Sequence, residues 1–173
     1  AFLERICANK VPAKNGGIIL GHLLNHNGFI ESELTITRLA DDHFYVLSAA
    51  VAQLHDMDQL EWRKAPAEKV MITDVTEDRG VLVLAGPKAR DVLSACTETS
   101  LANADFPWLT AQTAAVAGVD DVRLLRVNYV GELGWELHIP SEYVGDLYDK
   151  IIEAGEPFGI RDVGYRALDT LRL

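Results

Sequence analysis

The amino-acid sequence predicts an α+β fold in which antiparallel or mixed sheets are covered by helices. A unit of strand, turn, strand and helix recurs along the chain. In the strands apolar and polar residues alternate, and in the helices apolar residues return at every third or fourth position. Long hairpins followed by helices favour an α+β fold over an alternating parallel α/β fold. We expect residues 1–173 to form one domain built from these duplicated strand-strand-helix units.

The first unit begins with a predicted strand over Leu34–Leu39, where apolar and polar residues alternate as in a half-buried strand. The Asp41-Asp42 pair turns the chain into a return strand over Phe44–Leu47. Ser48 is placed to cap the helix that follows. The expected apolar positions of this helix are Leu54, Met57 and Leu60.

The same order returns in two further units. The second has predicted strands at Val70–Val75 and Val81–Ala85, and the third has them at Val122–Val127 and Trp135–Ile139. Ser141 is expected to cap the helix of the third unit. Each helix has an apolar stripe, formed by Ala89, Val92, Leu93 and Cys96 in the second unit and by Val144, Leu147, Tyr148 and Ile151 in the third. Flexible joints are expected around Arg63–Lys69 and Thr97–Thr110.

The composition is that of a globular chain, with 49% apolar residues. No run of about eighteen apolar residues occurs and the first residues lack a secretory pattern, so we expect no membrane partner. A net charge of −10 disfavours nucleic acid as a partner, because that binding relies on basic side chains. Cys7 and Cys96 lie far apart without metal-ligand spacing, which favours reduced, buried thiols of a cytosolic or organelle-matrix protein over a disulfide.

The usual motifs for nucleotides and metals are absent from the sequence, which has no GxGxxG, P-loop lysine, HExxH or paired CxxC motif. A flavin or nicotinamide site therefore cannot be assigned to this chain. The five histidines are scattered without helical spacing, which favours structural or solvated roles over a metal site. They are His22, His26, His43, His55 and His138.

Two segments place carboxylates beside glycine turns. In LNHNGFIESELTITRL an Asn-Gly turn leads to Glu33 on a strand, where the plain alternative is a solvated strand residue. In NYVGELGWELHIP, glycines 131 and 134 flank Glu132, and Glu136 shares a strand face with His138. A carboxylate there can accept two parallel hydrogen bonds from an amino-pyrimidine edge, although an acidic hairpin turn explains the pattern equally well.

A third segment, GYRALDTLRL, is typical of a helix that carries Arg166, Asp169 and Arg172 on its polar positions. Surface salt bridges are the ordinary explanation for such a pattern. The apolar positions Leu168 and Leu171 continue the periodicity up to Leu173, which predicts that the sequence is a piece of a longer chain.

Taken in order, these segments resemble the aminomethyltransferase family, the T-protein of the glycine cleavage system, and more closely its dimethylglycine and sarcosine dehydrogenase branch. The opening FLERICANKV resembles the helix before the folate site, and GFIESELTITRL resembles the glycine-rich turn and catalytic strand. YVGELGWEL resembles the tyrosine-glycine-glutamate signature, and GYRALDTLRL resembles the later helix. The likeness covers nearly the whole chain.

The resemblance implies a tetrahydrofolate site. The family's aspartate near the N5 and N10 nitrogens of tetrahydrofolate matches Glu33, so the carboxylate here is one methylene longer. Family members often carry an arginine where Leu168 stands, and either Arg166 or Arg172 is expected to anchor the anionic tail instead. The residues implied to line the pterin pocket are Tyr129, Glu132 and Glu136.

The implied activity is one-carbon transfer to tetrahydrofolate, giving 5,10-methylenetetrahydrofolate. The one-carbon unit would come from an N-methyl amine oxidised in an upstream FAD domain that is absent from this chain. The alternatives are a non-catalytic folate-binding accessory module and a stand-alone aminomethyl or methyl transferase. Accessory relatives carry a cysteine motif that the Asn128-Tyr129 pair lacks. We expect the acidic groups near positions 33 and 132–136 to converge on a pterin-sized cavity.

Overall fold

The computed structural model describes residues 2–172, so Leu173, where the predicted periodicity ends, lies outside them. The chain forms two compact units, one ending at Asp74 and the other beginning at Val75. Each unit has its own sheet and its own apolar core. Within residues 2–172, none of the helices has the length and apolar character needed to cross a membrane.

The first unit contains a three-stranded antiparallel sheet in the order β1-β2-β3. Its strands are β1 (Ile18–Leu24), β2 (Ile30–Ala40) and β3 (His43–Leu47). Helix α1 (Phe2–Ile6) precedes the sheet, and helix α2 (Gln53–Trp62) follows it. The buried apolar core consists of Phe2, Leu23, Leu34, Ile36 and Leu60.

The turn between β1 and β2 is built by Asn25 and Gly28. The side-chain Oδ1 of Asn25 accepts hydrogen bonds from the backbone N–H groups of Asn27, at 3.0 Å, and Phe29, at 3.1 Å. Gly28 has a φ of +80°, a left-handed conformation that glycine adopts at little cost. The turn therefore joins β1 and β2 as a hairpin, as the Asn-Gly pair indicates.

The second unit contains a four-stranded antiparallel sheet in the order β4-β7-β6-β5. Its strands are β4 (Arg79–Ala85), β5 (Ala111–Val116), β6 (Val119–Leu125) and β7 (Gly134–Pro140). Its helices are α3 (Ala89–Ser94), α4 (Val144–Gly155) and α5 (Tyr165–Leu171). Trp135, Leu137 and Ile139 of β7 are each 0% exposed and lie in the core with residues of α3 and α4.

These elements confirm the α+β fold with antiparallel sheets and helices. The hairpins β2–β3 and β6–β7 occur where alternating residues predict them. The apolar stripes of α3 and α4 also lie in the core, although Cys96 follows the end of α3 and Tyr148 is 38% exposed. The buried members of these stripes are Ala89, Val92, Leu93, Leu147 and Ile151.

The strand expected over Val70–Val75 is wrong, because no residue of this segment pairs with a strand. Its expected partner β4 instead pairs with β7. Val70 and Ile72 pack against the core of the first unit without any strand pairing. A short apolar run therefore marks buried side chains here, and such a run alone does not decide whether the backbone is a strand.

The two expected serine caps are also wrong. Helices α2 and α4 are each entered through a 3-10 turn, Ala50–Ala52 and Ser141–Tyr143, without a side-chain cap. The Ser141 hydroxyl donates instead to the backbone oxygen of Glu77 at 2.6 Å. In α2, Leu60 is buried as expected, whereas Leu54 is 80% exposed.

Candidate functional site

Glu33 lies on β2 of the first unit, directly opposite His22 of β1. Its Oε2 atom is 3.2 Å from the Nε2 atom of His22, and the Glu33 side chain is 56% exposed. Within residues 2–172, no hydrogen bond or ion pair involves its second oxygen, Oε1. Glu33 therefore presents one held carboxylate oxygen and one free oxygen at the surface of its unit.

His22 is itself held by Asn9. The Oδ1 atom of Asn9 accepts a hydrogen bond from the backbone N–H of His22 at 2.9 Å and lies 3.1 Å from the ring Nδ1. Neither Asn9 nor His22 was expected to take part in a site. The sequence could have indicated His22, because a hairpin centred on the Asn27-Gly28 turn places residue 22 opposite residue 33.

In the second unit, the loop between β6 and β7 carries the tyrosine-glycine-glutamate signature. Asn128 closes this loop, since its Oδ1 accepts a hydrogen bond from the backbone N–H of Val130 at 2.8 Å. Gly131 follows with a φ of +78°, and Glu132 is exposed. Gly134 begins β7 so close to β4 that a Cβ there would lie 2.5 Å from the backbone oxygen of Leu84.

The structure brings two of the expected residues, Tyr129 and Arg172, together. The guanidinium carbon of Arg172 is 4.1 Å from the centroid of the Tyr129 ring, within the range of a cation–π contact. Tyr129 is 48% exposed, so its ring is open to a ligand over part of its surface.

Arg166 lies on α5 and is exposed. Within the described part of the chain, neither Arg166, Asp169 nor Arg172 forms an ion pair. The salt bridges that would explain these charges as an ordinary helix surface are therefore not found among residues 2–172.

Glu136 and His138 share one face of β7, as the alternation predicts. The Nε2 atom of His138 lies 3.2 Å from the Oε2 atom of Glu136, and the two side chains are 1% and 25% exposed. Glu136 is thus largely buried, in contrast to the exposed Glu132. Because Glu33 belongs to the first unit and these residues to the second, the expected convergence of the acidic groups stays a prediction.

The two cysteines are free and half-buried. Burial raises the pKa of the Cys7 thiol, with a smaller contribution from the charge of Glu4. Burial alone raises the pKa of the Cys96 thiol. Both residues are therefore protonated at neutral pH and unsuited to nucleophilic chemistry.

Comparisons with known proteins show which family the chain belongs to. Residues 1–173 match the family model described as the GCVT N-terminal domain, and the chain belongs to this family. The aminomethyltransferase T of the glycine cleavage system from Bartonella henselae has a solved structure with a TM-score of 0.80. That structure is 26% identical in sequence, and the match covers 99% of this chain and 44% of the other.

The chain is also similar to two mitochondrial dehydrogenases. Mitochondrial dimethylglycine dehydrogenase of Rattus norvegicus is 35% identical over 176 residues, covering 99% of this chain and 20% of that protein. Mitochondrial sarcosine dehydrogenase of Homo sapiens is 34% identical, covering 91% of this chain and 19% of that protein. These findings confirm the resemblance to aminomethyltransferases and to the two dehydrogenases, of which this chain spans about a fifth.

Proposed function

We propose that this chain is a tetrahydrofolate-dependent one-carbon transfer domain of a dimethylglycine or sarcosine dehydrogenase-like enzyme, which forms 5,10-methylenetetrahydrofolate. The observation that carries the proposal is the carboxylate of Glu33, which has a free Oε1 on β2 and which the resemblance matches to the family's catalytic aspartate. Membership of the GCVT N-terminal domain family supports the proposal.

The loop before β7 fits a pterin. The Nδ2 atom of Asn128 is buried and has no hydrogen-bond partner among the described residues, so a ligand carbonyl there would remove an unfavourable orphaned donor. The partly exposed ring of Tyr129 offers a flat surface. Glu132 and Glu136 supply carboxylates that can accept hydrogen bonds from an amino-pyrimidine edge.

The arginines of the α5 segment fit the anionic tail of folate. Arg172 contacts the Tyr129 ring and has no acidic partner among residues 2–172. Its guanidinium is therefore available for a carboxylate while it remains stacked. Arg166, which is exposed on α5, is the second candidate for this contact.

When bound, tetrahydrofolate supplies the N5 and N10 nitrogens that take up the one-carbon unit. Glu33 would accept a proton from these nitrogens through Oε1 and stabilise positive charge beside them. The one-carbon unit would come from an N-methyl amine oxidised by an FAD domain outside this chain. A cytoplasmic location in bacteria or a mitochondrial matrix location follows from this assignment.

The test compares formaldehyde consumption with tetrahydrofolate in the presence of the chain and of its Glu33→Gln variant. We expect the rate above the uncatalysed background to fall by roughly 100-fold in the variant, because a positioned base is lost. Glu153→Gln, an exposed glutamate on α4, is the matched control and should leave the rate unchanged. Equal rates in all three proteins would leave only a folate-binding role. If the chain shows no saturable binding of tetrahydrofolate, the proposal is wrong.

A further inference from the structure

Asn9, His22 and Glu33 form a chain of hydrogen bonds across the first unit. Asn9 Oδ1 contacts both the backbone nitrogen and the ring Nδ1 of His22, and the other ring nitrogen, Nε2, contacts Glu33. Strand pairing fixes the distance between His22 and Glu33, because the two residues are register partners on β1 and β2. The arrangement is therefore held by backbone structure as well as by side chains.

The position of one proton follows from these contacts. A backbone N–H can only donate, so the Asn9 atom that it meets is the amide oxygen. That oxygen cannot donate to the ring, so Nδ1 of His22 must carry a hydrogen. The imidazole is thus restricted to forms in which Nδ1 is protonated.

The contact between His22 and Glu33 is a hydrogen bond only when a hydrogen lies between the two atoms. A neutral ring protonated at Nδ1 has a lone pair at Nε2, and a lone pair facing an ionised carboxylate oxygen makes no hydrogen bond. The contact at 3.2 Å is therefore a hydrogen bond in the form of the ring that carries a proton on Nε2, which donates to Oε2 of Glu33.

We propose that His22 is a positioning residue that binds Oε2 of Glu33 and leaves Oε1 to face the folate. The proposal rests on the function proposed above. It also accounts for the length of this side chain, since an aspartate would withdraw the carboxylate from Nε2 by roughly an ångström. In this role His22 acts through Glu33, which is the proposed base.

The first test requires no turnover and uses the ring nitrogen and carboxyl resonances of the ¹⁵N,¹³C-labelled chain. We expect a protonated Nδ1 in His22, retained in Glu33→Gln and lost in a large fraction of molecules in Asn9→Ala. His22→Gln should shift the carboxyl carbon of Glu33, whereas His43→Gln, an exposed histidine of β3, should not. The proposal would be overturned by an unprotonated Nδ1 in His22. It would also be overturned if His22→Gln left the resonance of the Glu33 carboxyl carbon unchanged.

The second test is a double-mutant cycle on the formaldehyde reaction with His22→Gln, Glu33→Asp and both together. We expect His22→Gln to lower kcat by roughly 10- to 100-fold with KM for tetrahydrofolate nearly unchanged, because only the alignment of the base is lost. The double variant should be less impaired than the product of the two single effects. Effects that multiply would contradict the proposal, whereas an inactive wild-type chain would count against the proposed function and leave the resonance test decisive.

Discussion

Glu132 and Glu136 have different surroundings, although both are proposed to bind the same ligand. Glu132 is exposed in the loop before β7, whereas Glu136 is three-quarters buried and contacts His138. Loss of the Glu136 carboxylate would therefore also remove a partner of a buried histidine. A variant that keeps the shape of the side chain is needed to separate folate binding from folding.

Replacing either glutamate should weaken tetrahydrofolate binding. Glu132→Ala and Glu136→Gln each remove charge-assisted hydrogen bonds worth about 1.5–3 kcal/mol, so we expect the Kd to rise by roughly 10- to 100-fold. Isothermal titration calorimetry measures this directly, with Glu153→Ala as the control. An unchanged Kd in both variants would exclude the pterin assignment.

His55 makes two contacts with carboxylates in the first unit. Its Nδ1 atom is 3.0 Å from Asp56 and its Nε2 atom is 3.3 Å from Glu31 of β2. The hydrogen bond with Asp56, and then that with Glu31, raises the pKa of His55 above its ordinary value of 6.5. The imidazole therefore links α2 to the sheet, and these contacts favour its protonated form.

This link should make stability depend on pH. A raised pKa in the folded state contributes stability that is complete below pH 6.5 and is lost as the pH rises through the folded value. We expect the urea midpoint to fall as the pH rises above 6.5, and His55→Gln to reduce that fall. His43→Gln is the control, and an identical pH slope in wild type and His55→Gln would refute the link.

At the scale of elements, side-chain periodicity predicted those strands whose two faces differ. β2 and β7 each place apolar side chains in a core and polar ones on the other face, so their positions were predicted from sequence. β1 and β5 were not predicted, since sequences such as IILGHLL and AQTAAV lack a regular alternation. β5 is recognisable only from its pairing with β6, which is tertiary information.

The segment expected to be a flexible joint around Thr97–Thr110 is instead anchored to the core of the second unit. Phe106 is 0% exposed and packs edge-on against Trp135, with ring centroids 6.1 Å apart. Arg126 donates to the backbone oxygen of Phe106, and burial lowers the pKa of this arginine. The anchoring residues are far apart in sequence, so a local pattern could not reveal them.

Two glycines in the second unit should respond oppositely to substitution by alanine. At Gly134 a Cβ would meet the backbone oxygen of Leu84 at 2.5 Å, so Gly134→Ala should destabilise the fold by about 1–3 kcal/mol. At Gly145 of α4 a Cβ meets nothing within 4 Å, so Gly145→Ala should stabilise the helix by about 0.5–1 kcal/mol. Urea denaturation measures both, and equal effects would contradict the close packing of β7 on β4.

At the scale of the whole molecule, this chain matches only part of the length of its relatives. It covers 44% of the Bartonella aminomethyltransferase chain and 20% of rat dimethylglycine dehydrogenase. The part shared with this chain is therefore a different fraction of each relative. Under the proposed function, the source of the one-carbon unit would be set outside this module and its acceptor by residues within it.

The net charge of −10 should make the stability of the whole chain depend on salt. Repulsion among the acidic side chains is screened as the Debye length falls from about 30 Å at 0.01 M salt to about 8 Å at 0.15 M. We therefore expect the Tm to rise over this range. Neutralising two exposed acids without ion pairs among residues 2–172, by Asp58→Asn and Glu142→Gln, should reduce that rise. A Tm that falls with added salt would show instead that ion pairs such as Arg5–Glu68 dominate the electrostatic contribution to stability.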